Sequence, residues 1–167
     1  EGCYPDCDML PFGTLGKGFG QERMTNFTHS EQQVVMTLWC IFGSPLMLGA
    51  EMPKMDEWTL SLLTNRDVLE MLTPDCKAMQ VYRNKDGALW CANNAKTGKS
   101  YVAVFNFREE DAEIGVSLEE LCLQGYLIEG KNDKADAIEA WSHETVAVRS
   151  GEIAANVEAH GVKLYVL

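Results

Sequence analysis

Basic side chains are scarce: 14 Lys and Arg stand against 25 Asp and Glu, for a formal net charge of −11. Nucleic acid and anionic membrane both require a basic face to recover counterion and Coulomb energy, so neither is an expected partner. Histidine is scarcer still, with His29, His143 and His160 scattered singly. A zinc site begun by Cys3 and Cys7 needs two further ligands that this spacing does not offer, and no metal or other cofactor is expected. The six cysteines (Cys3, Cys7, Cys40, Cys76, Cys91, Cys122) include no Cys-x-x-Cys, and most lie in apolar runs, which favours a reduced, cytosolic setting. No apolar run reaches the roughly 18 to 20 residues that span a bilayer, because residues 34–49 are interrupted by Thr37, Ser44 and Pro45. No basic and apolar leader stands at Glu1, so any targeting segment is expected outside this sequence.

At 167 residues the chain can bury one good core or two small ones. Thr28-His29-Ser30-Glu31 offers a capping box ahead of Val34, Val35, Leu38, Ile41 and Phe42 at helical spacing, which predicts a helix over 29–42 that Gly43 ends and Pro45 keeps from resuming. Trp39 falls on its apolar face and reads as core. Leu46-Met47-Leu48-Gly49 has the pattern of a short strand buried on both faces. Asp56 caps a helix carrying Trp58, Leu60, Leu62 and Leu63, and Asn65 restarts it through Val68, Leu69 and Leu72.

Beyond Thr73-Pro74-Asp75 the apolar period changes from helical to two, the best domain boundary in the sequence. Strands are expected over 79–83, 89–92, 101–107, 112–118, 125–129, 138–141, 145–148, 152–157 and 162–167, with turns at Asn84-Lys85-Asp86-Gly87, Lys96-Thr97-Gly98, Arg149-Ser150-Gly151 and Ala159-His160-Gly161. Many short strands so punctuated make an antiparallel sandwich, with His160 as a turn residue.

Near the start, Cys3-Tyr4-Pro5-Asp6-Cys7-Asp8-Met9-Leu10-Pro11-Phe12-Gly13 sets two carboxylates at i and i+2. In an extended run, alternation places Asp6 and Asp8 on one face and Cys7 and Met9 on the other. Carboxylates so close among apolar residues mean either a solvated turn or a polar pocket that uses their charge. The next run, Thr14-Leu15-Gly16-Lys17-Gly18-Phe19-Gly20, is no phosphate loop, since Gly-Lys is not followed by Ser or Thr opening a helix; it reads as a flexible loop at the mouth of a site. Asn26-Phe27-Thr28 fits a glycosylation sequon, which matters only in a secreted protein.

Taken in order, Pro5-Asp6-Cys7-Asp8-Met9-Leu10, Glu31-Gln32-Gln33, Met36-Thr37-Leu38-Trp39-Cys40-Ile41-Phe42, Ser44-Pro45-Leu46-Met47-Leu48-Gly49 and Trp58-Thr59-Leu60-Ser61-Leu62-Leu63-Thr64-Asn65 resemble the late barrel strands of the α-galactosidase (melibiase) family, glycoside hydrolase family 27. The likeness is dense from Tyr4 to about Leu69. It implies an α+β fragment: the last two β/α units of a (β/α)8 barrel over residues 1–72, then an antiparallel β-sandwich over 73–167. Residues 46–49 become the eighth barrel strand, with 49–51 facing the pocket. Members of this family are retaining hydrolases whose nucleophile and acid/base aspartates precede the Asp-x-Asp stretch, so no catalytic residue is assigned within this chain. Asp8 and Met9 match positions lining the galactose pocket, and Asp6 matches the first acid of the motif. Gly43 stands where relatives often carry Arg, and Tyr4 where they carry Trp, departures that bear on substrate detail.

The implied substrate is a galactose-containing oligosaccharide or glycoside, and the implied macromolecular partner is the other barrel half or a second copy of this chain. Two other functions stay open on the residues: a non-catalytic carbohydrate-binding sandwich, which requires exposed aromatics among Trp90, Trp141, Tyr101 and Tyr126, and a purely structural half of an enzyme supplied in trans.

Overall fold

The computed structural model describes residues 5–167, so Cys3 and Tyr4 lie outside the described residues. Strands β1 (Met9–Leu10), β2 (Thr14–Leu15) and β3 (Arg23–Met24) come first, followed by helix α1 (His29–Phe42), strand β4 (Met47–Leu48) and helices α2 (Glu57–Thr64) and α3 (Arg66–Leu69). β1 and β4 pair in parallel, Met9 opposite Met47 and Leu10 opposite Leu48. A parallel pair cannot be joined by a tight turn, and α1 lies within the crossover that links the two strands. β2 and β3 pair antiparallel, and a single 3-10 turn covers Lys17–Phe19. Thr14 and Leu15 are therefore one strand of a hairpin, and the glycines from Gly16 to Gly20 lie in the loop that joins it to β3.

The helices start and stop where local chemistry dictates. Thr28 Oγ1 accepts from the N–H of Glu31 at 3.2 Å while Glu31 Oε2 accepts from the N–H of Thr28 at 2.7 Å, so both halves of the capping box form. Gly43, with φ at +71°, ends α1 in the left-handed region that costs glycine nothing. Asp56 caps α2 by accepting from the N–H of Thr59, and Asn65 caps α3 by accepting from those of Asp67 and Val68.

The second half holds β5 (Cys76–Arg83), β6 (Gly87–Asn94), β7 (Ser100–Asn106), β8 (Ala112–Ser117), helix α4 (Leu118–Leu123), β9 (Asp136–Glu139), β10 (Thr145–Ala147), β11 (Glu152–Val157) and β12 (Val162–Val166). Six of these strands form an antiparallel sheet in the order β10-β9-β12-β7-β6-β5, and β8 pairs with β11 in a second sheet. The strand expected over 125–129 is absent. Ser117 instead caps α4 by accepting from the N–H of Glu120 at 3.2 Å, and Gly125, with φ at +77°, turns the chain beyond that helix. Two turns carrying only Leu118 and Leu121 inward are too short to show a helical period.

The central strands β6, β7 and β12 of the six-stranded sheet are buried on both faces, and alternation along β7 makes the division plain. Tyr101, Ala103 and Phe105 join a core with Leu10, Phe12, Met36, Cys40, Ile41, Leu62, Val68 and Met71 from the helical segment. Val102 and Val104 point the other way, into a core with Val116, Leu118, Leu121, Ile153, Ala155 and Val157. The helical segment is thus seated on the sheet by a shared apolar core. Two polar contacts bridge the seam, Asn65 Nδ2 donating to the carbonyl of Ala140 at 2.7 Å and Trp141 Nε1 donating to Thr37 Oγ1 at 3.2 Å, and on the sheet side the buried Glu139 carboxylate holds the adjoining turn by accepting from the N–H groups of Trp141, Ser142 and Leu164.

β4 departs from expectation. Met47 is 52% exposed and Leu48 half-buried, so this strand is not covered on both faces. Its only partner strand among the described residues is β1. No helix of the described residues is long and apolar enough to cross a membrane.

Candidate functional site

Asp6 and Asp8 lie in the turn that enters β1 and Met9 is the first residue of that strand, and the turn is not extended. The N–H of Asp8 donates to Asp6 Oδ1 at 3.0 Å, closing an Asx turn. Asp8 has φ at +70°, in the left-handed region, and its own Oδ1 accepts from the N–H of Met9 at 2.7 Å. A non-glycine residue in that region costs about 1–2 kcal/mol, and Asp is one of the few that visit it, because a short polar side chain bonds locally. The alternation that would send both carboxylates to one strand face does not apply.

Two side chains, one in the last turn of α1 and one just past its end, grip this turn. Trp39 Nε1–H donates to the carbonyl of Asp8 at 2.9 Å, and the N–H of Cys7 donates to Ser44 Oγ at 3.0 Å. Trp39 is half-buried with its ring packed on the first core, and Ser44 is fully buried. Reading Trp39 as core therefore accounts for the ring and misses the indole N–H. The one signal for it in the sequence is its place a single turn before Gly43, at the helix end that leads into β4.

Asp6 and Asp8 are exposed, and Met9 is 40% exposed beside Met47. Met24, beside Thr14 in the β2–β3 pair, and Met52, just beyond residues 49–51, are also more than half exposed. Residues 49–51 leave the carboxyl end of β4, held by the N–H of Gly49 on the carbonyl of Leu10 and that of Glu51 on the carbonyl of Thr14, each at 2.9 Å. Asp6 and Asp8 enter the amino end of β1. The Glu51 carboxylate lies over Gly16, where a Cβ would come within 1.8 Å of Oε1, so only glycine permits that approach.

Among the described residues no group of three or more His, Cys, Asp or Glu side chains is arranged to hold a metal ion. Cys40 and Cys91 are buried, and burial pushes both thiols up to about 12, which makes them inert packing residues. The aromatics that a carbohydrate-binding sandwich would need are not presented: Tyr101 is buried, and Trp90, Trp141 and Tyr126 are half-buried, Tyr126 off any strand. His160 sits in the turn between β11 and β12, as expected, with Nε2 3.0 Å from Glu109 Oε2.

Residues 84–167 match the family described as the alpha galactosidase C-terminal beta sandwich domain. The chain belongs to that family. Alpha-galactosidase D of Emericella nidulans is 31% identical over 98% of the chain, and the alpha-galactosidase of Cyamopsis tetragonoloba is 27% identical over 99%. The crystal structure of a GH27 β-L-arabinopyranosidase from Geobacillus stearothermophilus superposes on 99% of the chain with a TM-score of 0.84 and 40% identity. The chain spans 23%, 37% and 37% of those three proteins. The alpha-galactosidase relationship thus extends across the helical segment as well as the sandwich.

Proposed function

We propose that residues 1–167 form the carboxyl-terminal part of a retaining exo-glycoside hydrolase that removes terminal α-galactose, or a pyranose sharing its ring configuration. Residues 1–72 are the last two β/α units of a (β/α)8 barrel, and residues 73–167 are the sandwich that buttresses it. The observation that carries this reading is the parallel pairing of β1 with β4 across α1, with the Asp8 and Met9 turn at its entrance, in a chain whose full length aligns with glycosidases.

Within this part, Asp8 serves as a charge-assisted acceptor for a sugar hydroxyl, and Met9 lays an apolar side chain against the ring. Asp6 commits Oδ1 to the turn and keeps Oδ2 for the same hydroxyls or for the groups that hold the nucleophile. Retaining hydrolysis uses two carboxyl groups about 5 to 5.5 Å apart that reach the anomeric carbon from opposite faces. Asp6 and Asp8 belong to one turn, with Asp6 bonded to the backbone of Asp8, so both approach a ligand from the same side. Nucleophile and acid/base therefore come from residues outside this chain, and the rest of the barrel covers the methionine-rich face. A second copy of the chain is the other candidate for that cover.

β-L-Arabinopyranose has the ring configuration of galactose without the exocyclic hydroxymethyl group, so both sugars fit a wall that reads ring hydroxyls. The test is hydrolysis of 4-nitrophenyl α-D-galactopyranoside and 4-nitrophenyl β-L-arabinopyranoside by the complete enzyme and by residues 1–167 alone. The complete enzyme is expected to turn over at least one and the isolated chain neither. Turnover by the isolated chain that Asp8→Asn abolishes would return Asp6 and Asp8 to catalytic roles and overturn the proposal.

A further inference from the structure

We infer that Trp39 and Ser44 are positioning residues that set the orientation of Asp8 toward the sugar; the inference rests on Asp8 being a substrate contact, as proposed above. Four non-glycine residues have positive φ among those described: Asp8, His143, Ser150 and His160. The last three lie in the sandwich half, whereas Asp8 introduces a strand whose neighbour is parallel. A left-handed aspartate persists only where its surroundings over-determine it, and such strain concentrates where a side chain must be aimed.

The surroundings here are specific. Two local bonds shape the turn, and among the described residues two side-chain bonds tie it to the rest of the molecule, bracketing the Cys7–Asp8 unit. One holds the N–H before it, through Ser44 Oγ; the other holds the carbonyl after it, through Trp39 Nε1. Fixing a donor and an acceptor on either side of Asp8 leaves the backbone little freedom to rotate between them. Both anchors are themselves packed: the Trp39 ring lies on the core shared with the sheet, and Ser44 is fully buried with its hydroxyl 3.3 Å from the carbonyl of Pro45.

The consequence for the carboxylate follows directly. Its Oδ1 accepts from the N–H of Met9, while Oδ2 takes no part in the bonds of the turn. With the backbone pinned and Oδ1 occupied, the direction of Oδ2 is set before any ligand arrives, so a hydroxyl bond to it needs no reorganisation. Loss of either anchor lets the turn relax toward an ordinary extended conformation and swings the carboxylate away. Trp39 and Ser44 touch no substrate in this account; they act through Asp8 alone.

That dependence is what the test reads. Trp39→Phe keeps the apolar bulk and removes the N–H, and Ser44→Ala removes the acceptor for Cys7. Each is made in the complete enzyme, in the native background and in Asp8→Asn, and kcat/KM on the better of the two 4-nitrophenyl glycosides is measured with the melting temperature. Each is expected to cost about fivefold or more in the native background and less than about twofold once Asp8 is Asn, because coupled residues are non-additive. Should Trp39→Phe prove insoluble, the Ser44→Ala cycle decides alone. Equal losses in both backgrounds, or no loss in either, overturn the positioning role while leaving Asp8 as a contact. An Asp8→Asn enzyme with native kinetics overturns the contact itself and this inference with it.

Discussion

Asn65 Nδ2 donates to the carbonyl of Ala140 at 2.7 Å inside the seam, while Oδ1 of the same side chain accepts from the N–H groups of Asp67 and Val68. One buried amide thus starts α3 and fastens it to the turn that follows β9. Asn65→Ala removes a cap and strands a buried carbonyl, at a cost of about 2–4 kcal/mol. Asn65→Asp keeps the cap but sets oxygen against oxygen at Ala140, so it restores less than half of that loss. Urea unfolding monitored by tryptophan fluorescence measures both, and an Asn65→Asp protein as stable as the native one would show that the Ala140 bond carries no weight.

The β1–β4 pair and the segments around it carry methionines that meet solvent, with Met24 at 54%, Met47 at 52% and Met52 at 70% exposure. Neither β1 nor β4 has a second neighbour among the described residues, so backbone donors and acceptors stand open beside this apolar face. Residues 1–167 alone are therefore expected to self-associate, with light scattering giving a mass above one chain at micromolar concentration. A stable monomer with amides of residues 46–49 strongly protected from exchange would show that this edge needs no cover.

His160 is tied to Glu109 by the 3.0 Å contact at Nε2, and that hydrogen bond, then the charge of Glu109, holds the imidazolium above the usual 6.5, with Glu31 adding to the shift and desolvation opposing it. A raised folded-state value means that the pair stabilises the fold fully below about pH 6.5 and loses that contribution as pH rises through the folded midpoint. An NMR titration should place His160 above 6.5, and Glu109→Gln should bring it down. An unmoved midpoint in the variant would assign the shift to something other than Glu109.

Most of this architecture was legible because local chemistry and apolar period agree. The capping box at Thr28 and Glu31, the stop at Gly43 and the caps Asp56 and Asn65 place every long helix boundary, and eight of the nine expected sandwich strands exist with shifted ends. What stayed hidden depended on tertiary contacts or on segments too short to show a period. α4 offered only Leu118 and Leu121 as buried residues, and the segment around Leu127, where Tyr126 packs beside it on the core, imitated a strand. At the acidic turn, a solvated turn and a polar pocket were both compatible with the residues. Nothing in an Asp codon announces φ at +70°, and nothing in an apolar helix face announces that one indole N–H is reserved for the carbonyl of Asp8.

The central claim is that Asp8 contacts the sugar, and the complete enzyme carrying Asp8→Asn tests it most directly. Asn keeps the Oδ1 that caps Met9 and also tolerates the left-handed region, so the turn survives and only the charge is lost. Loss of one charge-assisted hydrogen bond amounts to about 1.5–3 kcal/mol, which predicts a roughly ten- to hundredfold fall in kcat/KM with the melting temperature unchanged. Native kcat/KM in the variant would contradict the account and leave residues 6–8 as a solvated turn.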